Sequence, residues 1–134
     1  MLPACAGHSS APKKSPSEKR TREKEARAAA TEWLALVDAA DYAGAYGLEP
    51  DRLRRVTTQE QFVRSMEGRR APFGRVVSRS FIGAAFTRKL TGSPDGQYES
   101  ILFRTSFVNK NLAAERVIVT LESGQWRVVD YRVY

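Results

Sequence analysis

The sequence predicts an α+β domain: N-terminal helices packed on a strongly curved antiparallel sheet of about four strands. Three observations carry this. Helical periodicity lies before Pro72 and strand alternation after it. The strands follow one another with no helix between them, the order of an antiparallel meander. Two stretches of turn chemistry, Ser93-Pro94-Asp95-Gly96 and Ser123-Gly124, divide the strand block.

The first helix starts at Ser15-Pro16-Ser17-Glu18, where Ser15 caps, Pro16 suits the first helical position and Glu18 completes a capping box. It is expected to run to about Ala40. Ala26, Ala29, Ala30, Trp33, Leu34, Val37 and Ala40 form one apolar stripe. Small residues early and large ones late predict that only the second half packs and that the first turns project into solvent. Asp41-Tyr42 opens a second helix to about Leu48, and Pro50-Asp51 interrupts it. A third helix spans about Thr58 to Arg69, with Thr58 and Gln61 at capping-box positions and Phe62, Val63 and Met66 on its apolar face.

The first strand covers about Arg75–Leu90 and bends at Gly83-Ala84-Ala85, since glycine inside a strand marks a bulge or sharp curvature. The second, about Gln97–Asn109, sets Ile101, Phe103, Thr105 and Phe107 on one face. The third, about Ala114–Glu122, points Val117, Val119 and Leu121 inward. The fourth, Gln125–Tyr134, has Trp126, Val128 and Asp130 in one phase and Val129, Tyr131 and Val133 in the other. Apolar groups on both faces predict a central strand, covered by helices on one side and by a partner subunit on the other. A curled sheet under a helix encloses a conical cavity, the default site for such a shape.

At 134 residues the chain divides into a tether, residues 1–16, and one domain, residues 17–134. Hydrophobic residues make up 42% and charged residues 28%, ordinary for a folded domain that can bury its own core. The net charge of +7 is uneven: residues 1–27 hold seven basic against three acidic side chains, and the remainder 15 against 12. That weakens any case for specific nucleic-acid binding, and no basic groups interleave with stacking aromatics. Cys5 and His8 are the only cysteine and histidine. The domain therefore has no disulfide, cysteine nucleophile, histidine base or Cys/His metal site, and no cofactor is indicated.

Leu2-Pro3-Ala4-Cys5 resembles the end of a bacterial lipoprotein signal, which makes Cys5 the candidate lipid anchor. The Gly/Ser/Pro/Lys-rich stretch after it suits a membrane tether. The expectation is an apolar segment encoded immediately upstream of Leu2.

Several motifs resemble the bacterial domain-of-unknown-function family 4019. They are Trp33-Leu34-Ala35-Leu36-Val37-Asp38 with Asp41-Tyr42-Ala43, Arg70-Ala71-Pro72-Phe73-Gly74 with Ser78-Arg79, Pro94-Asp95-Gly96-x-Tyr98, Thr105-Ser106-Phe107-x-Asn109-Lys110, and Gly124-x-Trp126-Arg127-Val128. The resemblance covers about residues 26–134. It implies a cone-shaped fold of the nuclear transport factor 2-like, or cystatin-like, superfamily. It also implies export to the bacterial envelope and brings no established activity.

The function expected is that of a non-enzymatic, periplasmic or lipid-anchored domain that binds a small ligand or a protein partner, with a homodimer through the sheet face. Trp33, Tyr46, Phe103, Arg104 and Trp126 are the ligand-pocket candidates. The alternative is an isomerase- or dehydratase-like enzyme, in which Asp130 with Tyr42 or Tyr46 would supply the acid–base pair. Asp38 and Asp41 also sit close in sequence, but Asp41 reads as a helix cap and Asp38 as a solvated group.

Overall fold

The computed structural model describes residues 16–134. Cys5 and the tether lie outside them, apart from Pro16. Helix α1 (Pro16–Asp38) buries Ala26, Ala30, Trp33, Leu34 and Val37, the expected stripe. Its first turns, residues 16–21, are exposed as expected, but packing begins before the second half of the helix. Arg22 turns inward, binds Glu99 at 2.5 Å and stacks 4.0 Å over the Phe86 ring. A long cation supplies the packing that the neighbouring alanines cannot.

The helix ends through Ala40, whose φ of 60° is left-handed, with Asp41 N–H donating to the Leu36 carbonyl at 2.8 Å. Helix α2 (Tyr42–Gly47) follows at once, capped by the Asp41 carboxylate, which accepts from the Gly44 N–H at 2.9 Å. The interruption at Pro50 holds a further single turn, α3 (Asp51–Arg54). Helix α4 (Gln59–Arg69) forms the full capping box between Thr58 and Gln61 and buries Phe62 and Met66. A 3-10 turn over Ala71–Phe73 then delivers the chain to Gly74, whose φ of 79° only glycine adopts without strain.

Four strands follow: β1 (Val76–Thr87), β2 (Tyr98–Phe107), β3 (Lys110–Glu122) and β4 (Gln125–Val133). They form one antiparallel sheet in the order β1-β2-β3-β4. Ser123 (φ 52°) and Gly124 (φ 78°) make the two-residue turn between β3 and β4, both in the left-handed region that a tight hairpin requires. Around Gly83 the register slips as expected: Phe81 faces Phe103 and Gly83 faces Leu102, which leaves Ile82 as the extra residue.

A bulge in β4 corrects the reading of the last strand. Val128 faces Val119 and Asp130 faces Ile118, so Val129 is inserted between them. An inserted residue reverses side-chain parity beyond it. Tyr131 and Val133 therefore join Trp126 and Val128 on the helix-covered face, where all four pack with the core. Asp130 moves to the open face. β4 is also an edge strand and not a central one. Apart from the extruded Val129, the apolar residues that suggested two covered faces belong to one.

The core lies between the helices and this face of the sheet. Trp33 packs against Tyr131 with ring centroids 5.1 Å apart, beside Ile101, Phe103, Val117 and Val119. Each fully buried side chain of this size contributes about 1.5–3 kcal/mol.

Candidate functional site

Besides the Arg22–Glu99 pair under α1, two polar clusters lie inside the domain, and they differ in how completely their groups are paired. The first sits at the sheet end nearest the 3-10 turn. Glu115 on β3 is fully buried. Its Oε1 accepts from Arg79 Nε at 2.7 Å and from Thr105 Oγ1 at 2.6 Å. Its Oε2 accepts from Arg79 Nη2 at 3.2 Å and from the Tyr131 hydroxyl at 2.5 Å. Arg79 reaches on to Asp38, with Nη1 2.7 Å from Oδ2, and Arg70 Nη2 meets the same carboxylate at 3.2 Å. Asp38 is thus a clamped group joining α1 to the sheet, and not the solvated residue expected. Burial alone would lower the Arg79 pKa, but hydrogen bonds to Asp38 and Glu115 outweigh it and raise it. Burial, with the adjacent Glu115 charge, raises the Tyr131 pKa.

An aromatic layer adjoins these charges. The Phe73 and Phe107 centroids lie 5.5 Å apart, and Arg70 stacks 4.6 Å over Phe107. Asn109 Nδ2 donates to the Pro72 carbonyl at 3.0 Å. With both Glu115 oxygens doubly engaged, this cluster has no free carboxylate position there for a ligand. Its chemistry is that of a clasp between α1, the 3-10 turn and three strands.

The second cluster is open. A cavity of about 210 Å³ lies between α4, α3 and β4, walled by Trp33, Leu53, Phe62, Val128 and Tyr131. Glu49 enters it from the connection between α2 and α3 and is 9% exposed. Burial pushes its carboxyl from 4.5 up to about 7, against Arg69 and Arg54, which pull it down. No described residue donates a hydrogen bond to that carboxyl. Arg69 is held at the rim, Nε on Ser65 Oγ at 3.0 Å and Nη1 on the Tyr131 carbonyl at 2.8 Å. A largely buried carboxyl that takes no hydrogen bond from a described residue, and that can carry a proton near neutral pH, accepts or donates one as its occupant requires.

The sequence matches, over residues 29–131, the family described as "Protein of unknown function (DUF4019)". The chain belongs to this family. No curated protein and no solved structure matches it. Both clusters fall within the DUF4019 region. Three of the five motifs that carry the resemblance converge on the clasp: Asp38, Arg70, Phe73, Gly74, Arg79, Thr105, Phe107, Asn109 and Lys110 meet at one end of the sheet.

The sequence-derived candidates scatter over the DUF4019 domain. Trp33 lines the Glu49 cavity, with its Nε1 donating to the Ala45 carbonyl at 3.1 Å. The Tyr46 hydroxyl lies 2.5 Å from the Thr57 carbonyl and 3.0 Å from that of Arg54, so it is committed to the backbone. Tyr42 is buried in the core, and Phe103 packs edge-on against Phe81 at 6.2 Å. Arg104 is exposed on the open face, opposite Ser80 and Ala114. Trp126 lines separate grooves beside α1, with its Nε1 buried and unpartnered. Asp130 touches the cavity rim, but its carboxylate accepts from Arg116 at 3.2 Å and lies 3.5 Å from Arg132. Its expected inward phase is overturned by the Val129 bulge. These groups do not assemble into one site.

Glu49 was missed. Its only sequence signal is an acid between Leu48 and Pro50 at a helix break, and nothing local says that the break folds under α4. Among the described residues no group of three metal-ligating side chains occurs, and no helix is long and apolar enough to cross a membrane.

Proposed function

We propose that this DUF4019 domain is a non-enzymatic binding domain of the bacterial envelope, of nuclear transport factor 2-like cone architecture. Its ligand is a small organic molecule held in the Glu49 cavity. The cone reading is supported by the long α1 laid over one sheet face and by bulges at Ile82 and Val129, which bend both edge strands. The envelope reading is supported by the likeness of Leu2–Cys5 to a lipoprotein processing site and by the family resemblance.

The observation that carries the binding reading is the Glu49 carboxyl, which takes no hydrogen bond from a described residue and faces a cavity with apolar walls at Trp33, Phe62 and Val128 and polar ones at Thr57, Gln61 and Ser65. An apolar body would fill the walls and one polar group would meet Glu49. A cavity of about 210 Å³ limits the ligand to a compact molecule, below the size of common cofactors.

An isomerase- or dehydratase-like reading draws support from the same carboxyl, poised near neutral pH for proton transfer. It also needs a tyrosine hydroxyl free to donate. Those of Tyr46 and Tyr131 are held by the Thr57 carbonyl and the Glu115 carboxylate, and Tyr42 does not line the cavity. The binding reading is therefore favoured.

The test is a fragment screen by heteronuclear NMR with wild type and Glu49→Gln. Hits should shift Trp33 and Val128 signals and lose affinity on substitution. Hits that map elsewhere, or that ignore Glu49→Gln, would sink the proposal. Metabolic lipid labelling of the native-length protein and Cys5→Ala separately tests the anchor.

A further inference from the structure

We propose that the free edge of β4 from Tyr131 to Tyr134 takes an extended acidic peptide as a fifth strand, whose carboxylates pair with Arg132 and Arg116.

The backbone supplies the first half of the argument. Tyr134 and Ala114 exchange both main-chain hydrogen bonds, at 2.8 and 3.1 Å. Antiparallel ladders alternate, so Arg132 points its N–H and C=O toward β3 while Tyr131 and Val133 point theirs outward. Arg69 takes the outward carbonyl of Tyr131 at 2.8 Å and closes that end. Beyond it a groove of about 460 Å³ runs along the strand, lined by Arg69, Asp130, Arg132 and Tyr134. The Tyr131 N–H and both groups of Val133 remain as a template for strand addition.

Charge supplies the second half. On the open face Arg116 stands directly opposite Arg132, and Arg104, opposite Ala114, is the diagonal neighbour of Arg116. Like charges so placed repel. Asp130 offsets one of them, by its contacts to Arg116 and Arg132. Arg104 has no ion pair or hydrogen bond with any described residue. Asp130 leaves one positive charge uncompensated at the free edge, with Arg104 two strands further in, and all three are arginines, whose planar fork matches a carboxylate. A residue added opposite Arg132 would place its side chain on this same face, next to the guanidinium groups. Tyr134, 55% exposed, lies 5.8 Å from Arg116 and offers an aromatic flank.

The occupant is not the chain's own N-terminal segment, because residues 1–15 contain no aspartate or glutamate. A second copy docked face to face would oppose arginine to arginine. An anionic lipid surface or a nucleic acid would use the arginines but not the unpaired amides, and that separates them from a peptide.

The test uses the full chain and a fluorescent synthetic octapeptide of alternating valine and glutamate, with a valine–lysine octapeptide as control. The acidic peptide should bind, and the lysine peptide at least tenfold more weakly. Arg132→Glu should weaken acidic-peptide binding at least tenfold. Val133→Pro, which removes one edge donor, should do the same, and peptide should slow amide exchange at Tyr131 and Val133 in the wild type. The exchange measurement stands even where Val133→Pro fails to fold. Absence of binding, binding indifferent to Arg132→Glu, or binding without amide protection would overturn the proposal. So would phosphatidylglycerol vesicles or oligodeoxythymidine displacing the peptide while leaving the amides unprotected, or light scattering that shows a dimer closed through β4.

Discussion

Arg79 on the first strand spans two carboxylates, with Nε 2.7 Å from Glu115 and Nη1 2.7 Å from Asp38. One side chain thereby ties α1 to β1 and β3. Removing it leaves a fully buried anion with only the Thr105 and Tyr131 hydroxyls. Arg79→Met should cost about 3–5 kcal/mol in urea unfolding. Adding Glu115→Gln should recover part of that, since the stranded charge is gone. A loss under about 1 kcal/mol would show that Arg79 does not act as the clasp.

Glu99 presents a parallel case at the other end of α1. It is fully buried, bound by Arg22 at 2.5 Å, and its Oε1 has no partner among the described residues. Arg22→Ala should destabilise by roughly 3 kcal/mol. Arg22→Lys should rescue little, because lysine lacks the planar group that stacks on Phe86. Proteolysis within α1 should rise in both variants.

Glu49 predicts a pH dependence with a definite sign. Its folded pKa of about 7 lies above the ordinary 4.5. Below the unfolded value both states are protonated and nothing is lost. As pH rises from about 4.5 to 7 the unfolded chain releases this proton first, so stability falls. Above that range the penalty is constant, about 2 kcal/mol after allowing for water at the cavity mouth. Glu49→Gln should flatten this part of the stability curve and raise stability at pH 8. A variant with the wild-type slope would show that another group titrates.

Two backbone positions give opposite expectations. Gly74 has φ 79°, and a Cβ there would lie 3.2 Å from Asn109 Nδ2. Gly74→Ala should therefore cost about 1–2 kcal/mol. Ala40 ends α1 at φ 60° without a glycine's freedom. Ala40→Gly should be neutral or stabilise by up to about 1 kcal/mol. Thermal unfolding of the two variants in parallel checks both.

Much of the fold is legible in local chemistry. The Asp41 cap, the Thr58–Gln61 capping box, the Ser123-Gly124 turn and the slip near Gly83 all follow from residues within a few positions of one another. The same holds for the order of helices and strands, and for the confinement of cysteine and histidine to residues 1–15. The sequence alone also brought the family to light, through short motifs in order.

What only the tertiary structure decided depends on distant partners. Val129 is as good a strand residue as Val128, and its extrusion opposite β3 reverses the roles of Asp130 and Tyr131. Glu49 gains its raised pKa from burial among Trp33, Phe62 and Val128, residues far from it in the chain. Asp38 looks solvated until Arg70 and Arg79 arrive from 32 and 41 positions away. Caps and turns are settled by bonds across three or four residues. Burial, charge pairing and strand parity after a bulge are settled by which segments meet, and that is a property of the folded chain.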